Sequence, residues 1–143
     1  HIVESLKSLN VKINFISDGD VSGVISVAVP QSKVDIYLGV GGGPEGVLAA
    51  AALKCLGCQM QTRLKFYQNE ERERVKKMGI KDLNLKYNIN DMVKGDVIFC
   101  ATGVTDGDLV KGIKEYDNYF LSETFVLHES SKTNNIIKKK MEK

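Results

Sequence analysis

The sequence has no long apolar run. None approaches the roughly 20 residues that a bilayer-spanning helix needs, and no membrane partner is expected. The opening His1-Ile2-Val3-Glu4-Ser5-Leu6 reads as the middle of an amphipathic helix, not as a signal peptide. Histidine is scarce, with only His1 and His128, so neither a histidine-rich metal cluster nor a Ser or Cys triad can be assembled. The three cysteines are an odd set without framework spacing, which disfavours a secreted disulfide fold and makes the cytoplasm the expected compartment. Excess charge of one sign is nearly absent, with 20 Lys and Arg against 18 Asp and Glu. Much of the small excess sits in Lys138, Lys139, Lys140 and Lys143. That placement reads as a frayed, solvated tail and not as the basic, aromatic-interleaved stripe of a nucleic-acid binder.

What is present suits one globular domain over residues 1–143, with 43% hydrophobic and 27% charged residues. The mid-helix start suggests a segment of something longer. Val11 to Ile16 alternates apolar and polar and is expected as a strand, followed by a helix from Val21 to Val29 closed by Pro30. Val34 to Leu38 is a second strand, and Pro44 to Leu56 an alanine-rich helix stopped at Gly57. Met60 to Phe66 is a third strand. Asn69 to Met78 is a charged helix, with early Glu and late Lys in the order the helix dipole favours. Lys86 to Ile89 is a short strand and Asp91 to Val93 a helical turn. Asp96 to Ala101 is a strand, Leu109 to Tyr116 a helix and Phe120 to His128 a final strand. Such alternation predicts an α/β fold, a parallel or mixed sheet covered by helices.

In sheets of that kind, ligands gather where strands lead into helix amino termini. Three loops take that position: Ser17-Asp18-Gly19-Asp20, Gly39 to Glu45, and Ala101 to Asp108. Glycines 41, 42 and 43 leave main-chain amides approachable, and the following helix favours a phosphate. Neither common phosphate motif is made, because no Lys-Ser or Lys-Thr follows the glycines and Glu45 would repel a pyrophosphate. Glu45 has two readings, a carboxylate stabilising the helix dipole or a hard oxygen ligand for Mg²⁺ or Mn²⁺. Asp18 and Asp20 either hold the turn and cap the next helix, or accept hydrogen bonds from sugar hydroxyls beside Gly19. Asp106-Gly107-Asp108 repeats that pattern, with Asp108 as a cap and Thr102 and Thr105 as possible phosphate donors. Cys55-Leu56-Gly57-Cys58 has no partner pair and lies at a helix carboxyl end, where a thiolate is not stabilised, so packing is the favoured reading.

Taken in order, Ser17-Asp18-Gly19-Asp20-Val21, Gly42-Gly43-Pro44-Glu45-Gly46-Val47-Leu48-Ala49-Ala50, Ala52-Leu53-Lys54-Cys55-Leu56-Gly57 and Met60-Gln61 resemble class II fructose-1,6-bisphosphatases. Asp96-Val97-Ile98-Phe99 and Ala101 to Leu109 continue the resemblance, which covers about Leu9 to Asn135. It implies a fold like that of the lithium-sensitive sugar and inositol phosphatases. Asp18, Gly19, Asp20 and Gly42 would then contact fructose 1,6-bisphosphate, and Glu45 would be a ligand to Mn²⁺ or Mg²⁺. The other acidic ligands and the group orienting the attacking water would lie in an amino-terminal half outside this chain, and the enzyme would be a homo-oligomer. The chain alone would be inert. Two alternatives stay open: a sedoheptulose 1,7-bisphosphatase or dual enzyme, and a non-catalytic sugar-phosphate-binding or oligomerisation module.

Overall fold

The computed structural model describes residues 1–143. Its helices are α1 (Ile2–Ser8), α2 (Asp20–Ser26), α3 (Gly43–Cys55), α4 (Asn69–Lys77) and α5 (Ile89–Met92). Its strands are β1 (Gln61–Thr62), β2 (Tyr87–Asn88), β3 (Ile98–Thr102), β4 (Lys114–Glu115), β5 (Tyr119–His128) and β6 (Thr133–Glu142). None of the helices is long and apolar enough to cross a membrane.

The buried centre is α3. Ala52 and Cys55 pack with Ile25, Phe99, Val110, Phe125 and Leu127, whereas Ala49, Ala50 and Leu53 pack with Val24 and Ile89. An alanine-rich helix suits that place, because small side chains let neighbours approach from two sides and such a helix needs no polar stripe. Glycine ends it where expected, with Gly57 at φ +70°, and Gly79 at φ +93° ends α4 in the same way. Phe99 and Phe125 meet edge to face, with centroids 6.5 Å apart. Lys54, near the end of α3, donates to the carbonyls of Val93 and Gly95. Its ammonium lies 3.2 Å from Glu129 Oε2, an attraction of charge more than an aligned hydrogen bond, since that buried oxygen has no hydrogen-bond partner.

Four expectations are corrected. Every ladder is antiparallel, β1 with β2 and β5 with β3, β4 and β6, where the alternation of elements pointed to a parallel or mixed sheet. For β5 with β6, and for β4 with β5, the reason is loop length: β5 turns back into β6 through residues 129–132, with Lys132 left-handed at φ 54°, and a connection that short permits only antiparallel pairing. The fold is a mixture of helices and antiparallel strands. Second, residues 11–16 and 34–38 join no ladder, and only Gln61–Thr62 of the third expected strand is paired. The alternation in those two segments leaves Phe15 75%, Ile36 74% and Leu38 63% exposed. Strand patterning without a neighbouring strand to accept its hydrogen bonds does not make a sheet.

The helix expected over Leu109 to Tyr116 is instead a tight loop running into β4. Asp106 Oδ1 accepts the Gly112 N–H at 2.9 Å, Ile113 N–H donates to the Val104 carbonyl, and Glu123 accepts the Lys111 N–H. Gly103 and Gly112 press against backbone so closely that a Cβ at either would lie within 3 Å of it, a packing that a helix would break. Finally, the lysine-rich tail is not frayed. It forms the ten-residue β6, with Lys138 3.0 Å from Glu123 and Lys143 2.6 Å from Glu115. Cross-strand pairing with the apolar β5 supplies the order that composition could not foretell.

Candidate active site

Two of the three loops singled out by sequence come together. Residues 17–20 lead into α2, residues 39–45 lead into α3, and the two helices pack side by side. Gly19 is left-handed at φ +79°, a conformation that glycine takes without steric cost. Asp18 Oδ1 accepts the Gly19 N–H at 2.7 Å and so holds this turn, with the rest of the side chain exposed to solvent. Asp20 does not cap α2. It is the first residue of the helix behind Gly19, and its side chain makes no cap bond. Its Oδ1 instead accepts the Tyr37 hydroxyl at 3.2 Å.

Glu45 stands at the third position of α3 and its Oε2 accepts the Gly42 N–H at 2.7 Å. This is half of a capping box, since glycine at the cap has no side chain with which to reciprocate. Glu45 also does something a cap does not require. A Cβ built on Gly41 would lie 3.0 Å from Glu45 Oε2 and 3.4 Å from Asp20 Oδ2. Carboxylates from two helices thus approach the same glycine, and a side chain there would press on both. The donors are all oxygen and negatively charged, the chemistry of a hard divalent cation. They are two and not a full set: no group of three or more His, Cys, Asp or Glu residues is placed to hold a metal. That fits Glu45 as one ligand in a shell completed by other groups, since Mg²⁺ takes one or two carboxylates together with water and phosphate oxygens.

Tyr37 is the site residue that sequence reasoning missed. Its ring lies between Gly23 of α2 and Gly39, so that a Cβ at Gly23 would come within 2.9 Å of the ring and one at Gly39 within 2.5 Å of the hydroxyl. Burial pushes its phenol above the usual value, and the hydrogen bond to Asp20 and the charges of Asp20 and Glu45 add to that rise. The available signal was slight: an aromatic on the polar phase of the Val34, Ile36, Leu38 alternation, two residues before a glycine.

In the third loop two polar side chains have local partners. Asp106 braces Gly112, Thr102 Oγ1 lies 2.8 Å from Thr124 Oγ1 across the sheet, and Asp108 precedes no helix and so caps none. Cys55 is buried and its thiol donates to the Val97 carbonyl, while Cys58 turns to the Leu56 carbonyl. Burial raises the Cys55 thiol above its ordinary value, the reverse of what a reactive thiolate needs. His128 joins a clasp in which Asp96 Oδ2 lies 2.9 Å and Ser130 Oγ 3.1 Å from the same ring nitrogen, Nε2. On the other side of the ring Ser131 Oγ lies 2.8 Å from Nδ1, so a carboxylate and a hydroxyl flank the imidazole on opposite nitrogens, and the cluster ties the end of β5 and the turn after it to the start of β3. Hydrogen bonds from Ser130 and His128 hold the Asp96 carboxyl down at about 2. Two clefts, of about 350 Å³ along α4 and about 120 Å³ beside Lys111 and Lys138, lie away from the α2–α3 corner.

Residues 1–141 match the family described as bacterial fructose-1,6-bisphosphatase, glpX-encoded. A fructose-1,6-bisphosphatase class 2 of Haemophilus influenzae is 36% identical over 146 residues, covering 92% of this chain and 44% of the relative. A fructose-1,6-bisphosphatase 2 class 2 of Escherichia coli is 36% identical over 149 residues, covering 94% of this chain and 46% of the relative. A D-fructose 1,6-bisphosphatase class 2/sedoheptulose 1,7-bisphosphatase of Synechococcus is 31% identical over 145 residues, covering 92% and 42%. The chain therefore spans less than half the length of these curated relatives. The matched span carries both converging loops and the antiparallel sheet behind them, and the chain belongs to the family of bacterial fructose-1,6-bisphosphatases.

Proposed function

We propose that this chain supplies substrate-binding loops and one metal ligand for hydrolysis of fructose 1,6-bisphosphate to fructose 6-phosphate and phosphate. The observation that carries this reading is the approach of Asp20 and Glu45 to Gly41 from two different helices. Asp18 and Asp20 accept hydrogen bonds from sugar hydroxyls, and Gly19 and Gly42 let the substrate come close to main chain. Glu45 is the residue that holds Mn²⁺ or Mg²⁺. When bound, such an ion lowers the pKa of water and neutralises phosphoryl oxygens. The chain's own part is to orient the sugar phosphate and to keep two carboxylates apart across a glycine.

The remaining acidic ligands are proposed to come from an amino-terminal half, as in the lithium-sensitive phosphatases that the family resembles. Supporting this are residues 11–16 and 34–38, which end at the two site loops, carry strand patterning and leave Phe15, Ile36 and Leu38 exposed. Apolar positions this exposed beside a site are suited to burial against further protein. Assembly as a homo-oligomer belongs to the same proposal, supported by Ile98, Cys100 and Ile137, exposed on the sheet face away from the core.

The test is phosphate release from fructose 1,6-bisphosphate by the intact protein, with Mn²⁺ or Mg²⁺ and after chelation, beside the 143-residue chain alone. The intact protein is expected to turn over only with metal, and the chain alone not at all. Metal-independent turnover, or turnover by the chain alone, would sink this division of labour. Sedoheptulose 1,7-bisphosphate is the second reading, favoured by the dual name of the Synechococcus relative. Parallel kcat/KM measurements on the two sugars decide it.

A further inference from the structure

The Tyr37 ring is held by shape and its hydroxyl by charge. Gly23 and Gly39 close on the ring from two sides, each too near to carry a Cβ, and the ring also packs against the core around Val24, Ala49, Ala50 and Leu53. This leaves the hydroxyl little freedom. It donates to Asp20 Oδ1, while Asp20 Oδ2 is the oxygen turned toward Gly41 and Glu45. The two oxygens of Asp20 are therefore sorted: one is occupied by a fixed donor, and the other faces the open space at Gly41. Without that donor the carboxylate can rotate about its own bond, or turn back to the unpaired N–H groups in the first turn of α2.

We propose that Tyr37 is a positioning residue for substrate binding, which aims one Asp20 oxygen into the site through its hydroxyl. The inference rests on the reading of Asp20 as a substrate contact and names the group that sets its orientation. Tyr37 touches Asp20 and acts through it. A phenol is suited to this role because it is neutral and so brings no positive charge to compete with a metal ion for the carboxylates. A phenol is a protonated donor through the neutral range even at its ordinary pKa, and burial here moves it further from ionising.

The experiment is Tyr37→Phe in the intact protein, which keeps the ring between its two glycines and removes only the hydroxyl. KM for fructose 1,6-bisphosphate is expected to rise roughly tenfold or more, the scale of one hydrogen bond to a charged group. Turnover number is expected within about threefold of wild type, with the thermal midpoint unchanged, because only ground-state orientation is lost. In an Asp20→Ala background the same substitution should add nothing, since the group it orients is gone. An unchanged KM, or an effect that persists undiminished in Asp20→Ala, overturns the proposal. The Asp20 side-chain carboxyl resonance gives a readout that needs no turnover: it moves in Tyr37→Phe, and an unmoved resonance overturns the assignment whatever the enzyme hydrolyses. Failure of the functional reading is separate and is seen in the wild type, as absence of phosphate release.

Discussion

Helices α3 and α4 begin in the same way and serve different ends. Each carries a glutamate at its third position that reaches back to the cap: Glu45 Oε2 to the Gly42 N–H at 2.7 Å, and Glu71 Oε2 to the Tyr67 and Gln68 N–H groups at 2.7 and 3.2 Å. By local rules the two are equivalent, since both satisfy orphan donors and both complement the helix dipole. Their surroundings differ. Glu71 answers to its own helix turn, whose backbone donors hold its carboxyl below the usual range, with a smaller contribution from Arg74. Glu45 meets a carboxylate from another helix across Gly41. Such an arrangement costs Coulomb energy unless a cation or donor fills the space, so it is the one that calls for a functional explanation. A carboxylate at a helix start is therefore uninformative by itself, whereas two from unlike elements converging on one glycine mark a site.

Substitution at the two glutamates tests that contrast most directly. Glu45→Gln keeps the acceptor for the Gly42 N–H, so the fold should survive, while kcat/KM of the intact protein falls by about a hundredfold or more with loss of a metal-holding charge. Wild-type turnover in a folded Glu45→Gln protein removes Glu45 from the metal site. A smaller effect is expected at Gly41. Its alanine variant places a Cβ 3.0 Å from Glu45 Oε2 and 3.4 Å from Asp20 Oδ2, and should cost about tenfold in kcat/KM by shifting both groups a few tenths of an ångström. Gly79→Ala is the control. That position is left-handed at φ +93° with open space around it, so alanine there should cost about 1 kcal/mol of stability and leave kinetics untouched. Equal kinetic loss in both variants would mean that Gly41 matters only for the backbone.

The smallest change is expected for Glu71→Gln, with activity unaltered and a thermal midpoint lowered slightly. Its signature is in the pH dependence. The folded carboxyl of Glu71 lies below its usual value, so its contribution is complete above the unfolded value and disappears as pH falls through the folded one. Thermal melts across the acid range should therefore fall less steeply in Glu71→Gln than in wild type. Parallel curves would show that the cap contributes nothing through its charge.

Local chemistry made much of the helical framework legible. Asn69–Lys77 and Gly43–Cys55 lie within a residue or two of expectation because proline, glycine and charge order act over one turn. The tyrosine clamp was not legible, since Gly23, Tyr37 and Gly39 are neighbours only after the chain has turned back on itself. Nor was the helix expected at Leu109 to Tyr116 distinguishable from a loop, because what opposes it is the backbone packed against Gly103 and Gly112. For the strands, alternation was present at 11–16 and 34–38 but no ladder formed, while a lysine-rich tail with weak alternation became the ten-residue β6.

The sequence by itself determined where α3 and α4 start and stop and, through an ordered set of short motifs, the family. Tertiary structure alone decided which caps are more than caps. It set aside the capping reading of Asp20, whose carboxylate is held by Tyr37, and it set Asp108 apart from any helix. It also brought Asp20 and Glu45 close to the same glycine, Gly41. The physical reason is range: capping and dipole effects act within one helical turn, whereas pairing of strands and convergence of like charges depend on neighbours distant in sequence.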